Sequence, residues 1–256
     1  MMTKFCSSAL IVGLLTICQV ASADSAVPEP FRGFDENSSY EIQYDDLTAV
    51  LRTVVVDVGR STREVAKPTQ ARTGTMMKSK IKRTTANEAN RFYFETFKEN
   101  EAGRQLLATI RKSLEMLPSE VSLAYFSRDE QLAYWLNLYN VTLLNELIEV
   151  FPKRNLKKVL TGRKSILAKP LLTVAGVPLS LNDIQFKILK NNYKDPLVMY
   201  GLYQGNIGGP NIRKSAYTGA DVWRALKNNA IEFVNSNRGT YSDGDNSDVF
   251  QVSGLY

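Results

Sequence analysis

The stretch SRDEQLAYWLNLYNVTLLNELIEV, Ser127 to Val150, decides the fold. Ser127 and Glu130 stand at the Ser-x-x-Glu spacing of a capping box. In that motif the hydroxyl and the carboxylate each serve an N–H that the first helical turn leaves without a partner. Leu132, Trp135, Leu136, Tyr139, Leu143, Leu147 and Ile148 then repeat at helical spacing, and the pattern stops near Pro152. Apolar residues surround most of this helix instead of forming one stripe, which predicts a central, buried helix. Asn137 and Asn140 lie three apart on one side of it. A buried amide without partners costs about 1–3 kcal/mol. The pair is therefore expected to hold a neighbouring loop or to orient a ligand. Most buried polar groups satisfy other buried groups, so the structural role is the expectation.

Moving outward, Leu47, Val50, Leu51, Val54, Val55 and Val58 predict a helix between Tyr44 and Val58. Phe92, Tyr93, Phe94 and Phe97 form an aromatic cluster expected in the core. Residues 102–117 predict a helix with Leu106, Leu107, Ile110, Leu114 and Leu117 on one side and Pro118 beyond its end. On the other side, LLTVA and VPLSL around Gly176 read as two short strands, with Pro178 marking an edge. Ser180 and Asp183 offer a further N-terminal cap, for a helix carrying Ile184, Ile188 and Leu189. After Asp195-Pro196, residues 197–203 read as a strand, followed by the glycine-rich turn from Gly205 to Pro210. Thr218 and Asp221 open a last helix with Trp223, Leu226 and Phe233, and residues 248–256 read as a final strand. The expected class is α+β, with helices packed around a small antiparallel sheet in one domain over residues 40–256.

The N-terminus carries a different message. Lys4 precedes an apolar stretch from Phe5 to Val20, and Ala21-Ser22-Ala23 supplies the small-x-small pattern of a signal-peptidase site. Residues 1–23 are expected to be a cleaved signal peptide, residues 24–39 a flexible leader, and the mature protein periplasmic or secreted, with no transmembrane span. Both cysteines, Cys6 and Cys18, lie in the segment to be removed, and the chain has no histidine. That excludes disulfides in the mature chain, zinc sites built on Cys or His, and Cys-His or Ser-His-Asp catalysis. No metal and no cofactor are expected.

The positive charge is local. Residues 60–83 hold eight basic side chains against the single acid Glu64, which exceeds the net charge of +6 and leaves the rest slightly acidic. Weak periodicity, Pro68 and many Ser and Thr residues predict a surface loop. An anionic surface is one partner it would suit. No aromatic residue occurs between Arg60 and Arg83, and with export this argues against nucleic acid.

Four segments resemble the family called domain of unknown function 547, over roughly residues 127–256. They are Ala133 to Asn140, Leu181 to Leu189, Asp195-Pro196 with the glycine turn and Pro210, and Tyr217-Thr218 leading into the Trp223 helix. The resemblance implies a site built on Cys and His, and this chain lacks both there. Phe186, preceded by Gln185, takes one His position and Met199 another; Gln204 and Gly209 take Cys positions. The same scaffold without its reactive groups implies a non-catalytic binding or scaffold module of the cell envelope, with an envelope glycan or a protein as partner. The pocket around Phe186, Met199 and Gln204 is then expected to be apolar and packed. The alternative is a hydrolase or transferase of envelope glycan or peptide that works without Cys or His. Arg213, after the glycine turn, joins Asn137 and Asn140 as a candidate polar site.

Overall fold

The computed structural model describes residues 27–61, 63, 89–153, 155–242 and 250–255. The signal-peptide expectation, and all of the basic segment except Arg60, Ser61 and Arg63, fall outside the described residues. Among the described residues, helices α1 (Asp45–Val54), α2 (Glu101–Glu120), α3 (Arg128–Val150), α4 (Lys157–Leu160), α5 (Lys190–Asn192) and α6 (Val222–Val234) are accompanied by six short strands. The strands pair only with each other: β1 (Val55–Val56) with β2 (Arg91–Phe92), β3 (Pro170–Val174) with β4 (Val177–Ser180), and β5 (Thr240–Ser242) with β6 (Phe250–Val252). All three pairs are antiparallel. The class is α+β, as the pattern of elements predicts. What the helices surround is not a sheet, however, but α3.

Helix α3 is buried around nearly its whole circumference. Leu132, Tyr134, Trp135, Leu136, Leu138 and Leu143 are fully inaccessible. It packs against α2 on one side and against α6 and the Asp183–Leu189 turn on others. Phe31 closes it from the N-terminal side, edge-on to Trp135 at 4.9 Å. Within residues 27–39, Val27 and Phe31 are buried and supply apolar surface to the core around α3, while residues 32–37 are exposed. Among the described residues no helix is long and apolar enough to cross a membrane.

Pro118 lies inside α2, not beyond it. A proline within a helix has no N–H for the carbonyl four residues back. Here Tyr134 Oη donates to the Leu114 carbonyl at 2.9 Å, so the orphaned acceptor becomes the join between α2 and α3. Glu115, also buried, accepts the Thr173 N–H at 2.6 Å and fastens the β3–β4 hairpin to the same helix. That hairpin turns through Ala175 and Gly176, both at positive φ, the geometry of a two-residue turn.

Residues 197–203 differ from expectation. Pro196–Gly201 is a 3-10 helix, opened by Asp195, whose side chain accepts the Leu197 N–H, with Pro196 in the first helical position. The segment threads between α3 and α6 at Gly201. A Cβ there would stand 2.7 Å from both Leu136 Cδ2 and Leu226 Cδ2, which is why the position needs glycine.

Candidate functional site

Two asparagines of α3, the buried Asn137 and the half-buried Asn140, act as brackets for backbone. Asn137 Nδ2 donates to the Tyr217 carbonyl at 2.8 Å, and its Oδ1 accepts the Tyr217 N–H at 2.9 Å. Asn140 does the same one turn on: Nδ2 to the Gly201 carbonyl at 2.8 Å, and Oδ1 from the Tyr203 N–H at 2.9 Å. Each amide stands in for the edge of a strand, offering one donor and one acceptor to an irregular segment that has no ladder. Asn229 of α6 repeats the device, donating to the carbonyls of Tyr200 and Asn211 at 2.7 and 3.0 Å.

Glu130 extends the pattern with a charged group. Ser127 Oγ accepts the Glu130 N–H as a capping residue should. The reciprocal half of the box is not made. Glu130 Oε1 accepts the Ile42 N–H at 3.2 Å and Oε2 the Gly219 N–H at 2.9 Å, tying two distant loops to the start of α3. Burial pushes the carboxyl above the ordinary carboxylate range, against those two N–H groups, which favour its charged form. Gly219 lies so close that a Cβ there would collide with the Glu130 carboxylate.

The glycine turn is also held from within. Arg238 Nη1 donates to the Gly209 carbonyl at 2.6 Å while Nη2 makes a forked pair with Glu232 at 2.7 Å. Gln204 packs against Gly209, where a Cβ would meet Gln204 Cβ and Oε1 at 2.9 Å. Arg213 lies over the Tyr217 ring at 4.6 Å, and its nearest acid, Asp221, is 4.0 Å away. Arg213 and Asn211 line a polar recess of about 370 Å³ with Asn229 and Glu232. Asn211 and Asn229 are already engaged, since Asn211 donates to Glu232 at 2.7 Å. Burial pushes the Tyr217 hydroxyl up to about 12.

The four positions where the resemblance places Cys and His, and Gln185 beside one of them, therefore separate. Gln204 and Gly209 belong to the turn. Gln185, Phe186 and Met199 line a groove of about 510 Å³ between the Asp183–Leu189 turn and the 3-10 helix. Leu189, Tyr193, Val198 and Leu202 complete its apolar lining, with Lys190, Lys194 and Asp195 among the remainder. This corrects the expectation of a packed site. The groove is apolar, but it is open, and Phe186 is 53% exposed.

One wall of the groove has unusual geometry. Asp183–Leu189 is π-helical, a form that recurs at functional sites. Its start is a complete reciprocal box: the Ser180 N–H and hydroxyl donate to Asp183 Oδ2 at 2.9 and 2.5 Å, and the Asp183 N–H returns to Ser180 Oγ at 3.1 Å. Lys187 pairs with Asp183 at 2.6 Å. Partial burial acts to raise the Asp183 carboxyl, but Lys187 and Ser180 together outweigh it and hold the group below its usual value.

The molecule is thus an α+β domain organised on one buried, amide-bearing helix, with an open apolar groove at its edge. Residues 123–234 match the family model described as "Protein of unknown function, DUF547", a span from just before α3 to the last residue of α6. No curated protein and no solved structure matches the chain. The matched span contains the groove, both α3 amides and the glycine turn. Sequence reading missed Glu130 as a bracket, and it missed Asn229, Glu232 and Arg238. Asn229 carried a signal, being an amide on the apolar face that Leu226, Ala230 and Phe233 define.

Proposed function

We propose that the protein is an exported, non-catalytic binding module of the cell envelope, with the groove between the Asp183–Leu189 turn and the Pro196–Gly201 helix as its ligand seat. One observation carries this reading. The positions that would hold reactive groups in the family carry Phe186 and Met199, and these line an open groove of about 510 Å³, within the roughly 300–1,000 Å³ of small-ligand sites. The conspicuous polar groups of α3, Asn137, Asn140 and Glu130, are bound to the chain's own backbone. Asp195, the one acid in the groove, caps the Leu197 N–H at 2.8 Å. Export rests on the signal-peptide pattern of residues 1–23.

The test has two parts. The neutral fluorophore N-phenyl-1-naphthylamine is expected to bind saturably, and Phe186→Ser to abolish that binding. Incubation with envelope glycan and peptide fragments, followed by mass spectrometry, is expected to give no product. Turnover that disappears in Asp195→Asn or Lys194→Ala would replace this reading with the hydrolase or transferase one. For export, N-terminal sequencing of the secreted or periplasmic fraction should begin at Asp24; an intact Met1 in the soluble cytoplasm would remove that part.

A further inference from the structure

Resting on the groove as a ligand seat, we infer that its ligand is a free long-chain fatty acid, with the alkyl chain along Phe186, Leu189, Val198, Met199 and Leu202 and the carboxylate at Lys190 and Lys194. The lining selects the chain first. A peptide brings an N–H and a carbonyl with every residue, and a glycan brings several hydroxyls per ring. Each of these needs a partner once taken from water. In the lining Tyr193 and Asp195 are already hydrogen-bonded to backbone, which leaves Gln185 and the two lysines, too few polar groups for either polymer. An alkyl chain asks for none, and Met199 is the adaptable kind of side chain that follows a flexible one.

The lysines select the head group. Lys187, on the same turn, is committed to Asp183 at 2.6 Å. Among the described residues neither Lys190 nor Lys194 has a carboxylate within ion-pair distance. Both line the groove together with Asp195, whose carboxylate accepts the Leu197 N–H, so two ammonium groups without a carboxylate partner border its apolar surface. Such compact charges suit a carboxylate. Both lysines are exposed, so they fix the polarity of the ligand more than its affinity.

The experiment is displacement of N-phenyl-1-naphthylamine by octanoate, decanoate, laurate and myristate, and by the alcohols of the same lengths. Each added methylene should tighten binding by about two- to fourfold until the groove is full. The acids should bind better than the alcohols. Lys190→Ala with Lys194→Ala should weaken the acids by about three- to tenfold and leave the alcohols unchanged, and added salt should shrink that difference. Both lysines are on the surface, so this variant stays folded, and thermal melting checks it. If alcohols match acids and the lysine variant binds both as before, the fatty-acid assignment is overturned while the groove remains a ligand seat. If the fluorophore does not bind, or binds Phe186→Ser as well as it binds the original protein, both readings are overturned. Concentration-dependent dimerisation that Phe186→Ser abolishes would overturn the ligand in favour of a second copy of the chain.

Discussion

Two regions of this molecule treat side chains in opposite ways. Along α3, the buried Asn137 and Glu130 and the half-buried Asn140 meet backbone donors and acceptors from segments far away in sequence. At the groove, apolar groups sit at the surface, and Phe186 remains 53% exposed. The interior amides, expected from the sequence to hold neighbouring segments, are architectural in the fold. The groove residues suggest ordinary packing in the sequence and are the part left open. Buried polarity is costly unless satisfied, so a chain that keeps it usually uses it to hold irregular segments. Exposed apolar surface gains no burial energy until something covers it, so a concave patch of it is the better pointer to a ligand.

The sharpest way to break the comparison is Asn137→Ala. It strands the N–H and the carbonyl of Tyr217, which is buried, and at about 1–3 kcal/mol for each group the loss should reach about 3 kcal/mol by urea unfolding. A loss within the noise of the fit would mean that the bracket is ornamental. Tyr134→Phe comes next, because it removes the donor to the Leu114 carbonyl beside Pro118. It should cost about 1–3 kcal/mol; a neutral result would show that another donor serves that carbonyl.

Glu130 sharpens the contrast through pH. Its carboxyl is raised in the folded state, from a reference value of 4.5, by burial. The folded chain therefore holds that proton more tightly than the unfolded chain. The resulting contribution to stability is fully present below 4.5 and is lost as pH rises through the folded value. As pH rises through that value the protein should therefore lose stability relative to Glu130→Gln, whose neutral side chain does not titrate. A gain in the protein's stability relative to the variant over the same range would mean that the Ile42 and Gly219 N–H groups outweigh burial. The smallest effect on stability is expected from Phe186→Ser, within about 0.5 kcal/mol because the site is exposed. A large destabilisation there would place Phe186 in the core and end the distinction between the regions.

Much of the interior region is legible in the sequence. The apolar circumference of α3, the paired asparagines and the Ser180–Asp183 box each follow from local spacing. Glu130 is legible only in part: its spacing from Ser127 announces a cap, but its real partners, Ile42 and Gly219, are set by tertiary approach that no local pattern encodes. Residues 197–203 read as a strand for a related reason. A short apolar run has no decisive period, and the evidence for a helix lies outside it, in Asp195-Pro196 as a helix start. Pro118 reads as a terminus because propensity counts the N–H it lacks, not the Tyr134 hydroxyl that compensates. The groove itself has no signature at all, since openness is a property of how two elements meet.

The central claim is that Phe186 and Met199 border a ligand seat. It is tested most directly by labelling the methionine methyl groups with carbon-13 and titrating laurate while recording methyl spectra. The Met199 methyl should shift saturably with the same Kd as fluorophore displacement, while Met116, on α2 outside the groove, stays in place. Saturable laurate binding that leaves Met199 unmoved would contradict the account, because the ligand would then sit elsewhere.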